Sequence, residues 1–176
     1  MVLFGHGNEA AASATVSGIV ELATAAEINT STDAARAVTP GAFSDSNYGI
    51  RYIGIRVADA ATELSTGDNK AKVHIPAGMN GMNLISAHAQ VDTAAAGSDL
   101  LTIEVSKNDE DTQMLSTNIT IDASETGSDS AATAAVLQTD GSEAVATNDT
   151  VQVNITQIGS STAGSGLVVT LGCRIP

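Results

Sequence analysis

From Tyr48 to the C-terminus, apolar positions recur with a period of two. In "RYIGIRV", Ile53, Ile55 and Val57 alternate with Tyr52, Gly54 and Arg56. In "NLISAHAQV", Ile85, Ala87, Ala89 and Val91 alternate with Leu84, Ser86, His88 and Gln90. "LLTIEV" places Leu101, Ile103 and Val105 on one face, and "MLSTNITI" does the same with Leu115, Thr117, Ile119 and Ile121. "TVQVNITQI" follows with Val151, Val153 and Ile155, and "GLVVTLGC" with Leu167, Val169, Leu171 and Cys173. Successive side chains of a strand point to opposite sides, so this alternation marks half-buried strands. With the shorter "KVHI" and "AVLQ", about eight strands are predicted, separated by Gly, Asp, Asn and Ser turns. The expected fold is all-β, an antiparallel sandwich. Eight strands favour a jelly roll over an immunoglobulin-like sandwich, which ordinarily carries a central Trp that is absent here.

Ahead of Tyr48 the pattern is different. Gly18 to Leu22 is a short aliphatic stretch that predicts a strand. Thr24-Ala25-Ala26-Glu27 has the Thr-x-x-Glu spacing of a helix capping box. Thr39 is placed to cap a second helix whose first residue is Pro40, where a missing N–H costs nothing. Ser44-Asp45-Ser46-Asn47 is predicted as a turn or linker, and residues 1–17, rich in Ala, Ser and Gly, as a flexible or partner-ordered arm. Residues 1–47 are therefore expected to form an arm and attachment segment, and 48–176 the sandwich. A strand and two helix starts are too small to bury Ile19, Val20, Leu22, Ile28, Val38 and Phe43 alone, so these are the predicted contacts with other copies or a neighbour.

Composition points the same way. Of 176 residues, 43% are hydrophobic, but much of this is Ala and aromatics make up 2%. Large side chains dominate burial, so a thin core of this kind is commonly completed by association. The net charge of -13, from 20 acidic against 7 basic residues without a basic run, disfavours binding to nucleic acid or an anionic membrane. It favours solubility at high local concentration. "MVLFGHGNEAAASATVSG" lacks the basic and apolar regions of a signal peptide, and no run is long enough to span a bilayer. The expectation is synthesis in the cytoplasm without export.

Candidate chemistry is sparse. His6, His74 and His88 have no second His or Cys at ligand spacing, and there is no Gly-x-Ser-x-Gly elbow. Asp109-Glu110-Asp111 lacks the spaced carboxylates and central Gly of a calcium loop and is predicted to be a solvated hairpin. "STAGSGL" has no following Lys-Ser/Thr and is expected to be a turn between the last two strands. The single cysteine, Cys173, falls on the apolar face of a strand and is expected to be a small buried side chain. No catalytic, cofactor or metal residue is predicted, and the chain is read as non-enzymatic.

"GIVELATAAE" followed by "STDAARAVTPGAF" resembles a short motif of tail fibres and related structural proteins of tailed bacteriophages. "MLSTNITIDASETGSDSAATAAVL", "VATNDTVQVNI" and "GLVVTLGCRIP" resemble phage structural proteins with a jelly-roll-like domain. The resemblance implies a virion protein assembled as a homotrimer, with the major capsid protein or other virion proteins as partners and the virion surface as its location. No shaft repeats separate the attachment segment from the sandwich, so a short appendage of the capsid decoration or head fibre type is expected. A tail fibre and a receptor- or glycan-binding module are the alternatives. For the last, only Tyr48 and Tyr52 would supply aromatics near a groove.

Overall fold

The computed structural model describes residues 20–109 and 112–176. It divides into two compact units at Ile50/Arg51.

The first unit contains α1 (Ala25–Thr30) and α2 (Pro40–Asp45). α1 carries the predicted capping box: Thr24 Oγ1 accepts from the Glu27 N–H, and Glu27 Oε2 accepts from the Thr24 N–H at 2.9 Å. The helix stops where Ser31 adopts a left-handed conformation, φ 54°. Thr39 Oγ1 accepts from the Ala42 N–H at 3.1 Å and caps α2, with Pro40 in the first turn. Two expectations need correction. The predicted strand at 18–22 is, over its described part, a single parallel bridge from Leu22 to Ala37, because the chain offers no second segment long enough to extend the ladder. Ser44 and Asp45 belong to α2, and the turn that follows is a single 3-10 turn at Asn47–Gly49.

The second unit is all-β. Its strands in chain order are β1 (Arg51–Glu63), β2 (Gly67–His74), β3 (Met82–Thr93), β4 (Leu101–Lys107), β5 (Thr112–Gln113) and β6 (Leu115–Thr117). They continue with β7 (Ile119–Ile121), β8 (Val136–Leu137), β9 (Ala144–Val145), β10 (Thr150–Gln157) and β11 (Ser165–Arg174). One sheet has the order β1-β11-β3-β9; the other runs β2-β10-β4-β5, with β7 also pairing β4. All these pairings are antiparallel. β1 with β11, β2 with β10, β3 with β9, and β4 with β5 and β7 nest inside one another like the rungs of one long hairpin. The further pairings of β11 with β3 and β10 with β4 roll that hairpin into two sheets, which is the strand order of a jelly roll.

The core lies between the sheets. Ile103, Val105, Ile119, Val153 and Val169 are completely or almost completely buried, as the alternation predicts. Leu167, Leu171 and Cys173 line the same interior from β11. Every buried hydrophobic side chain of the described residues falls between Ile55 and Cys173, so the sandwich holds its own core. On β10 the intervening Gln152 and Asn154 are buried as well, on the outer face. Asn154 is satisfied there by the Asn69 N–H at 2.7 Å and by Glu104 Oε1 at 2.9 Å.

The alternation misses at two places. Ser86 pairs with Gly172 but Leu84 pairs with Cys173, which leaves Ile85 as an extra residue. This bulge reverses the faces of β3 ahead of it, so Met82 and Leu84 are buried and Ile85 is half-buried, while Ala87, Ala89 and Val91 face inward as predicted. "MLSTNITI" is not one strand but two. Asn118 separates β7, which pairs β4, from β6, which turns away to pair β8 through Leu115 and Leu137. The predicted "STAGSGL" turn is present over residues 161–164, while its last three residues already belong to β11. Gly164 and Gly166 have φ of 78° and 64°, and a side chain at Gly166 would strike Asp92 and Ala60.

Candidate attachment surface

The described residues of the first unit are held by polar contacts rather than by an apolar core. Arg36 is its hub: Nη1 donates to Glu27 Oε1 and to Asp33 Oδ2, each at 2.6 Å, and Nη2 lies 3.2 Å from Glu21. The guanidinium thereby ties the segment after α1 back to α1 and to the chain before it. Backbone bonds from Ala23 N–H to Ala37 O and from Ala37 N–H to Glu21 O, both 2.9 Å, close the same ring. Ser31 Oγ and Tyr48 Oη are 2.8 Å apart, and Asn29 Oδ1 accepts from the Asn47 N–H at 2.7 Å. These contacts fasten the 3-10 turn onto α1.

The electrostatics follow from this geometry. The Thr24 backbone and side chain, and then the Arg36 charge, hold the Glu27 carboxyl below the usual carboxylate range. The Ala35 N–H does the same for Asp33, again with help from Arg36. Both groups bind protons more weakly in the folded unit. Their stabilising contribution is therefore complete above the ordinary carboxylate range and fades as pH falls through it. Amide exchange at residues 23–37, measured by mass spectrometry, is expected to accelerate below about pH 4 relative to that of β10 and β11.

What the polar hub leaves outside is apolar. Neither helix buries a residue. Val20 is 42% exposed, Leu22 59%, Val38 55%, Phe43 48% and Tyr48 57%. In the much larger sandwich, Tyr52, Val136 and Ile175 are the large apolar side chains so exposed. Ile28 is half-buried and, with Val38, Tyr48 and Ala23, lines a cleft of about 260 Å³ beside Arg36. Of the predicted contact residues, Val20, Leu22, Val38 and Phe43 are thus exposed, Ile28 is partly covered, and Ile19 lies outside the described residues. Tyr48 belongs to the same surface. Its signal in the sequence was an aromatic placed next to a predicted turn in a chain with two Tyr and two Phe.

Elsewhere the candidate chemistry is scattered. His74 is exposed on β2, His88 Nδ1 lies 2.6 Å from Asp129 Oδ1, and His6 lies outside the described residues. Asp109 accepts from Gln152 Nε2 at 3.1 Å and sits 3.9 Å from Lys72 Nζ, while Glu110 and Asp111 lie outside the described residues. Among the described residues, no three His, Cys, Asp or Glu side chains converge to hold a metal ion. No helix of the described residues is long and apolar enough to cross a membrane. Cys173 is buried in β11, and burial pushes its thiol up to about 11. It is expected to resist maleimide in the native protein at neutral pH and to react fully once the chain is unfolded, as thiolate trapping followed by mass spectrometry would show.

Compared with known proteins, the chain matches no family model, no curated protein and no solved structure.

Proposed function

We propose that this chain is a non-enzymatic structural protein of a tailed-bacteriophage virion. It is a homotrimeric surface appendage of the capsid decoration or head fibre type. Residues 1–47 attach it to the major capsid protein or another virion protein, and the sandwich faces outward. One observation carries the reading. The stretch that resembles phage fibre motifs lies in the small unit whose described residues expose Val20, Leu22, Val38, Phe43 and Tyr48 and bury no hydrophobic side chain. Apolar side chains gathered on a unit this small mark a surface that binds protein.

Trimeric display makes such a surface effective. Once one attachment segment is docked, the second and third bind intramolecularly, so modest single contacts add up to firm attachment. The acidic sandwich, within a chain of net charge -13, stays soluble and repels other copies on a crowded particle. The reading is tested on purified particles with gold-labelled antibody against the sandwich. Regularly spaced label on the particle surface is expected. Particles that carry none of this chain would overturn the proposal.

A further inference from the structure

One side of the sandwich presents two open strand edges. β1 and β2 form the ends of their two sheets, and among the described residues no strand pairs with the outer edge of either. β1 is 13 residues long, and its core-facing Ile53 and Val57 are only partly covered, as are Ala71 and Val73 on β2. Monomeric proteins usually shorten or cover such an edge, because its free N–H and C=O groups and its half-covered core invite pairing.

The same side collects the cations. Of seven basic residues, Arg51 and Arg56 lie on β1, and Lys70 and Lys72 on β2. Arg51 Nη1 donates to the Gly78 carbonyl at 2.6 Å, and Lys70 Nζ to Ser65 Oγ at 2.9 Å. Neither these two nor Arg56 meets a described carboxylate within ion-pair distance, whereas Lys72 lies 3.9 Å from Asp109. Asp59, Glu63 and Asp68 share the edge, Glu63 and Asp68 beside the turn that joins the two strands.

The other side of the sandwich is acidic. Of the nine carboxylates between Lys107 and Arg174, five lie in residues 122–143, and the cation beside them is Lys107, whose Nζ donates to the Ala144 carbonyl. Residues 122–143 connect β7, beside β4, to β9, beside β3, and so run along the edges farthest from β2 and β1. The segment is anchored to β3 by the bridge from Gln90 to Gly127 and by Ser128 Oγ, which accepts from the Ala89 N–H at 2.9 Å. It carries Asp122, Glu125, Asp129, Asp140 and Glu143 and also exposes Val136. Asp122 and Asp140 accept from backbone N–H groups, Glu125 from Ser130, and Asp129 meets His88.

We infer that the β1/β2 edge is a docking surface for a second copy of this chain, and that it receives the acidic 122–143 side of that neighbour. The contact joins two different surfaces, so each copy offers one of each, and with the three-fold rotation of the proposed trimer successive contacts close into a ring. The inference rests on the homotrimer proposed above and names the sandwich surfaces that would form it. The occupant is another copy because this chain itself supplies the complementary charge and an apolar side chain beside it.

The test uses the full chain and sedimentation velocity. The pair Arg51→Glu and Arg56→Glu is expected to raise the concentration for half-assembly about tenfold or more. Glu125→Lys with Asp129→Lys, whose partners are side chains, should do the same. All four changes together should restore assembly, which a folding defect would not do. Because the N-terminal units can hold the chains together, a second readout follows contacts directly. Isotopically mixed chains are treated with carbodiimide, and amides from Lys70 or Lys72 to carboxylates of 122–143 on a different chain are expected. The link from Lys72 to Asp109 within one chain serves as the internal control. Unchanged assembly in both charge-reversed variants, with no cross-chain links, would overturn this interface and leave the trimer to the N-terminal units. A wild-type chain that sediments as a monomer at micromolar concentration would overturn the trimer itself.

Discussion

A chain lacking residues 1–47 is expected to fold as the full protein does and, on the proposed function, to fail to attach to particles. Folding survives because the buried hydrophobic side chains of the described residues, from Ile55 to Cys173, all lie outside the deleted segment. The thermal midpoint of the sandwich should therefore shift little, since no core cavity is created. Attachment should fail because Val20, Leu22, Val38 and Phe43 are removed together, and multivalent binding falls away once each arm loses its contact. Co-sedimentation with particles, set beside circular dichroism of the same sample, measures both halves. A truncated chain that still decorated particles at full occupancy would transfer attachment to the sandwich.

The second large effect is in the core. Ile103 is 0% exposed in β4, the strand that pairs with β10 on one side and β7 on the other. Ile103→Ala should lower the stability of the sandwich by roughly 2–5 kcal/mol, the transfer of the lost methylenes plus the cavity they leave. Domains of this size are stable by about 5–15 kcal/mol, so the variant loses a large part of its margin. Urea unfolding should show a lower midpoint with an unchanged slope. Ile53→Ala, at the partly covered β1 edge, should cost clearly less in the isolated sandwich, because water already reaches that side chain.

In the candidate site, what was legible was local chemistry. Thr24 with Glu27, and Thr39 with Pro40, specify helix starts through groups within one turn of one another, so their spacing alone predicts both caps. The exposure of Leu22 and Phe43 was legible as an argument from size, since six-residue helices cannot cover such side chains. The role of Arg36 was not. It joins Glu21, Glu27 and Asp33, and nothing in their spacing says that the chain after α1 turns back to bring all three within reach of one guanidinium.

By itself the sequence determined the all-β class and most of the inward-facing set, because strand periodicity is built into the alternation of side chains along an extended backbone. Ile55, Leu101, Ile103, Val151, Val153, Val169 and Leu171 are buried for that reason. The tertiary structure alone decided what depends on which strands pair. A bulge at Ile85 reversed the faces of the start of β3, and Asn118 sent β6 to a different partner from β7. Arg51, Arg56, Lys70 and Lys72 form no run in the sequence, yet the nested pairing sets them together on one open edge and places Asp122 to Glu143 along the other. Alternation is a property of neighbouring residues. Strand order is fixed by hydrogen bonds and packing between residues far apart in the chain, and those interactions decide which charges and half-covered side chains share a surface.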